Sequence, residues 1–161
     1  MTRSGLNRLG WVLVVAMLGG GAEAQDVMVV VNQDVSISEI SDTELHDVFT
    51  GSRFRFRDGS RAVAVILKGG PAHEVFLRNH VGETTDSFRT LWRKAVFTGQ
   101  GAAPREFNSE EALLQYVAAT PGAIGYVSHL GTGEKIKVLS VQRSGTGRER
   151  NLQNRPPGPM H

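Results

Sequence analysis

The chain has 161 residues, no cysteine, and a formal charge of +2 from 18 basic and 16 acidic side chains. Lacking cysteine, it can have no disulfide framework, no thiolate metal site and no lipid-anchored cysteine. Arg3 and Arg8 against Glu23 supply part of the positive charge, so the chain beyond residue 24 is close to neutral. This argues against a nucleic-acid binder, which needs a basic face to neutralise phosphates.

Residues 1–24 have the three parts of a secretory signal: Arg3 and Arg8, an apolar run over 11–18, and small residues ending Ala22-Glu23-Ala24. Cleavage is expected before Gln25, which leaves about 137 residues, enough for one domain with one core. The apolar run is shorter than the roughly 20 residues that span a bilayer, and no later run is long enough. A soluble periplasmic product with no membrane span after signal removal is therefore expected.

Residues 27–31 (VMVVV), 62–67 (AVAVIL) and 123–127 (AIGYV) are short runs rich in branched residues, bounded by polar or glycine positions, and read as buried strands. Between the first two, Leu45, Val48 and Phe49 form a short helical face with Ser41 or Asp42 as N-cap and Gly51 as its stop. The RFRFRDG stretch then alternates Arg53, Arg55 and Arg57 with Phe54 and Phe56. In extended form this places three guanidinium groups opposite two rings. It reads either as a basic interaction patch for an acidic partner or as an edge strand guarded by charge, with its phenylalanines in the core.

After the second strand comes LKGGPAHEVF, two glycines running into a helix start with Pro71 at its first position. Helix starts expose unpaired N–H groups, so Gly69, Gly70, Ala72 and His73 form either a candidate anion-binding turn or a plain structural helix start. Glu74 opposes that role, because it favours the helix dipole and repels a neighbouring anion. His73 and His80 lie two helical turns apart, about 10 Å along the axis. That is too far to share one metal ion without bending toward it, so no metal site is assigned.

Phe88, Leu91, Trp92, Ala95 and Val96 follow the i, i+3, i+4, i+7, i+8 pattern of an amphipathic helix. Asn108 and Glu111 read as a capping box for a further helix. Residues 135–141 (KIKVLSV) read as a last strand, and 143–161, rich in Gly, Pro and Arg, as a disordered tail. Strands alternating with helices imply an α/β domain over 25–142 with a mostly parallel central sheet flanked by helices. The tetrapeptide VFTG occurs at 48–51 and 96–99, but a helix ending in apolar residues, threonine and glycine needs no duplication. No nucleophile-elbow, metal-protease or phosphate-loop pattern is present, and Asp58 and Glu74 have nothing that pairs them as acid and base. Tyr126 and Ser128, at a strand end, face either a ligand crevice or the core.

In order and spacing, Phe49-Thr50-Gly51, Asp58-Gly59, Phe97-Thr98-Gly99 and the TPGAIGYV of 120–127 resemble the phosphate-type substrate-binding proteins of bacterial ABC transporters. The likeness spans residues 27–140. It implies a type II periplasmic-binding-protein-like fold, no enzymatic activity, no cofactor, phosphate or another small anion as ligand, and a transporter or other envelope protein as partner. Two departures qualify it. Family members close two lobes around the ligand, whereas this chain has length for one lobe. The family's phosphate loop also carries serine, threonine and arginine where this chain has Gly69, Gly70, Pro71, Ala72 and His73. The resemblance thus implies weak anion binding, or alternatively an interaction module that keeps the fold without a small ligand.

Overall fold

The computed structural model describes residues 26–131 and 135–143. The signal reading over 1–24 and the tail from residue 144 onward lie outside these described residues. In chain order the elements are β1 (Met28–Asn32), β2 (Glu39–Ser41), α1 (Asp42–Phe49), β3 (Val63–Leu67), α2 (Pro71–Phe76) with a π-helical continuation over Leu77–Val81, α3 (Thr85–Phe97), β4 (Arg105–Phe107), α4 (Glu110–Ala119), β5 (Ala123–Val127) and β6 (Ile136–Gln142).

The strands form one mixed sheet in the order β2-β6-β1-β5-β3-β4. Parallel pairings join β2 to β6, β3 to β4 and β3 to β5, while β1 runs antiparallel to both of its neighbours, β5 and β6. Five strands therefore point one way and β1 alone points back. Helices cover both faces, and two adjacent residues of β5 establish this. Gly125 lies against Leu113 of α4, while Tyr126 stacks on Phe76 of α2 at 3.9 Å between ring centroids. Successive strand residues point to opposite faces, so α4 and α2 lie on opposite sides of the sheet.

The core forms because the inner strands β1, β3 and β5 bury both of their faces: Val29, Val30 and Val31, then Val65, Ile66 and Leu67, then all of β5. Phe49 and Tyr126 are fully enclosed, and Phe49 meets Phe76 edge-on at 4.7 Å. Burying one such side chain contributes about 1.5–3 kcal/mol. From the exposed side of this layer Trp92 reaches in, and its Nε1–H donates to the Phe49 carbonyl at 3.0 Å, tying α3 to the end of α1.

Several expectations require correction. The N-cap of α4 is Ser109, whose hydroxyl accepts from the Ala112 N–H at 3.2 Å, so Asn108 and Glu111 do not form the anticipated capping box. RFRFRDG makes only an isolated bridge between Arg55 and Arg61, closed by a turn in which Phe56 N–H donates to the Ser60 carbonyl. Of its two rings, Phe56 is buried and Phe54 is 59% exposed, because the turn swings Phe54 away from the sheet. Val96 and Phe97, at the end of the amphipathic helix, are exposed rather than packed.

Candidate functional site

Parallel strands β3, β4 and β5 end along one edge of the sheet, and each passes into a turn there. Ligands of open α/β sheets characteristically bind at such carboxyl ends. A crevice of about 180 Å³ lies at this edge, lined by Gly69, Gly70, Pro71 and Ala72 after β3, Asn108, Ser109 and Glu110 after β4, and Ser128 after β5.

Local chemistry explains the first wall. Gly70 is the N-cap of α2 at φ 98°, a conformation that side-chain-bearing residues rarely adopt, and it provides no side-chain cap. Pro71, the first helical residue, has no N–H, and the Glu74 N–H is already bonded to the Gly70 carbonyl at 3.1 Å. The helix start therefore presents the backbone N–H groups of Ala72 and His73.

The opposite wall holds a carboxylate. Glu110, half-buried at the start of α4, accepts the Ser128 N–H at 3.0 Å and the His129 N–H at 3.1 Å through Oε2, and the Ser128 hydroxyl at 2.6 Å through Oε1. Two backbone amides and a hydroxyl converging on one carboxylate are a donor set of the kind that holds an oxyanion. Here the chain's own side chain occupies it. His129 Nδ1 also lies 2.8 Å from Ser128 Oγ, but the hydroxyl proton goes to Glu110, so serine and histidine are not arranged as nucleophile and base.

The His73 side chain turns away from this crevice. The imidazole is buried and its Nδ1 lies 2.5 Å from the Tyr126 hydroxyl, which accepts the Leu67 N–H at 3.1 Å. Among the described residues the phenol proton has no acceptor other than Nδ1, so the tyrosine donates to it, which leaves the hydrogen of neutral His73 on Nε2. Burial, helped by the nearby Arg89, lowers the His73 pKa, with Glu106 and Glu74 pulling the other way. Burial pushes the Tyr126 phenol well above its ordinary value. Tyr126 therefore belongs to the core, and Ser128 to the crevice. His80, in the π-helical segment, instead meets Asp42 at 3.0 Å, so the two histidines serve separate contacts.

The candidate basic patch is engaged within the chain. Arg53 lies 3.4 Å from Glu44, Arg55 donates to the Gly59 carbonyl at 2.8 Å, and Arg57 donates to the Glu39 carbonyl at 3.0 Å and to its carboxylate at 3.2 Å. Cations with no ion pair among the described residues, Lys68, Arg89 and Arg93, gather elsewhere, along a groove of about 520 Å³ beside α3 that His73 and Trp92 also line. Sequence reasoning missed both Glu110 and this groove. The exposed Phe97 at the end of an amphipathic helix was the available signal for the groove.

No protein-family model matches the chain. It is 31% identical over 116 residues to the phosphate-binding protein PstS of Bacillus subtilis (strain 168), a match that covers 69% of this chain and 34% of that protein. In fold it is similar to an ABC-type phosphate transport receptor from Vibrio cholerae, with TM-score 0.54, 12% identity, and coverage of 71% of this chain and 45% of that one. It is also similar to PstS from Borrelia burgdorferi, with TM-score 0.51, 15% identity, and coverage of 79% and 51%. The chain thus spans about a third of the curated relative and about half of the solved ones. In sequence and in fold, the chain resembles the phosphate-type substrate-binding proteins of ABC transporters, as a single lobe of the periplasmic-binding-protein type.

Proposed function

We propose that the protein is an exported, non-enzymatic solute-binding-like lobe that takes phosphate or another small oxyanion weakly at the strand-end crevice, in association with an ABC transporter or another envelope protein. The observation that carries this reading is the donor set around Glu110, where the Ser128 and His129 amides and the Ser128 hydroxyl are arranged as an oxyanion seat. The Ala72 and His73 N–H groups across the crevice, with Gly69 and Gly70 allowing close approach, would complete the shell. Export is supported by the signal-like residues 1–24, and the ligand class by likeness to the Bacillus phosphate-binding protein.

Weakness follows from two features. Among the described residues no lysine or arginine lines the crevice, so they supply no charge-assisted part of anion recognition. The described lobe by itself also leaves one side of the anion in water, where two-sided closure would exclude it. The alternative, a module that keeps the fold without a small ligand, is favoured by the same carboxylate, because Glu110 already fills the seat.

Thermal unfolding with added phosphate or sulfate tests the proposal. A Kd near 1 mM gives about 1.4 kcal/mol of stabilisation at 10 mM phosphate. In Glu110→Ala the seat is vacated, and phosphate is expected to bind at least tenfold tighter, giving about 2.7 kcal/mol at the same concentration. If phosphate and sulfate shift neither protein, the ligand-free module is the correct reading.

A further inference from the structure

The groove beside α3 differs from the crevice in size, lining and charge. Its volume of about 520 Å³ falls within the roughly 300–1,000 Å³ of small-molecule sites, whereas the crevice has about 180 Å³. Phe88 and Trp92 form an apolar floor, and Val96 and Phe97, 52% and 91% exposed, extend it toward solvent. Exposing a phenylalanine so fully beside other apolar residues gives an apolar surface with nothing from the described residues upon it.

The rim is cationic. Lys68, Arg89 and Arg93 line the groove against one carboxylate, Glu106, and none of the three enters an ion pair among the described residues. The nearest bond is a long one from Arg89 Nη2 to the Lys68 carbonyl at 3.3 Å. Arg53 and Arg57, by contrast, are both matched to carboxylates.

His73 adds a directed donor. Its side chain is 2% exposed and lines the groove, and its one hydrogen bond uses Nδ1. Among the described residues no fully buried side-chain nitrogen or oxygen lacks a partner, so the unpartnered Nε2 sits on the sliver of ring that opens on the groove. With Nδ1 accepting from Tyr126, Nε2 carries its hydrogen outward. A fixed N–H donor beside unpaired guanidinium groups, above an apolar floor, suits a ligand with an anionic head and an apolar body. A hydrated inorganic anion would leave the floor unused, and a neutral hydrocarbon would leave the cations unused.

We propose that this groove binds a small amphiphilic carboxylate, its head group meeting Arg89 and His73 Nε2–H and its alkyl or aromatic body lying on Phe88 and Trp92. This site shares no donor with the Glu110 seat, so it stands or falls independently of phosphate binding there.

In a full-length chain carrying Trp11→Phe, Trp92 is the sole tryptophan, and its emission reports on the groove directly. Titration with octanoate below its micellar concentration is expected to give a saturable change in emission. Octanol is expected to bind at least tenfold more weakly, and phosphate not to compete. Reversing the two exposed cations together, Arg89→Glu with Arg93→Glu, is expected to weaken octanoate at least tenfold with the circular dichroism spectrum unchanged. Absence of a saturable octanoate signal, equal binding of octanol, competition by phosphate, or an undiminished signal in the folded charge-reversed variant would each overturn the proposal.

Discussion

Phe49 and Phe97 occupy the same place in two copies of VFTG, yet Phe49 has no exposed surface and Phe97 is 91% exposed. Identical local sequence ends both helices in the same way, with a threonine C-cap and a glycine at positive φ, and the surroundings decide everything else. Gly51, at φ 79°, lies under the Trp92 ring, and a Cβ there would come within 2.6 Å of Cη2. Gly99, at φ 69°, has nothing within 4 Å of such a Cβ. Gly51→Ala is therefore expected to cost about 2–4 kcal/mol from backbone strain and overpacking together, and Gly99→Ala about 1–2 kcal/mol from strain alone, as measured by urea unfolding.

His73 also makes stability depend on pH. Burial lowers its pKa in the fold, while in the unfolded chain it titrates near 6.5. Between those values the unfolded state binds a proton that the folded state refuses, so His73's contribution is complete above about pH 6.5 and is lost as pH falls through the folded value. Urea unfolding at pH 7.5 and 5.5 should show wild type losing stability on acidification, by at most about 1.4 kcal/mol per pH unit from this residue. His73→Gln is expected to show a smaller loss.

At the scale of elements, end chemistry was legible where it was local. Ser41 caps α1 in a reciprocal box with Glu44, its hydroxyl accepting the Glu44 N–H at 3.1 Å while Glu44 accepts the Ser41 N–H at 3.3 Å. Ser41→Ala should cost about 0.5–2 kcal/mol, read as a lower urea midpoint with unchanged slope. The far end of α4 was not legible. Asn32 of β1 donates its Nδ2 protons to the Val117 and Ala118 carbonyls at 2.9 and 3.1 Å, across about 85 residues of sequence, and its Oδ1 accepts the Asp34 N–H at 2.9 Å. Strands β2 and β4 also escaped, because three residues are too few to show a period, and each is defined by its partner, Ile40 beside Val141 and Glu106 beside Ile66.

In the whole molecule the middle of the sheet is β1 between β6 and β5, and its edges are β2 and β4. Native-state hydrogen exchange should find the slowest amides among Val29–Val31 and Ile124–Tyr126, opening only with global unfolding, and the fastest strand amides in β2 and β4. Equal protection of edge and centre would contradict the strand order.

The apolar runs, the helical periods and the proline at the start of α2 lie within a few positions of one another, and so the α/β class, three inner strands and that helix start could be read from the chain alone. The reversed direction of β1, the carboxylate of Glu110 in the donor set after β5, and the His73–Tyr126 pair inside the core depend on groups brought together from distant parts of the chain. Their partners are chosen by packing and by the need to satisfy buried polar groups, conditions that exist only once the sheet has assembled.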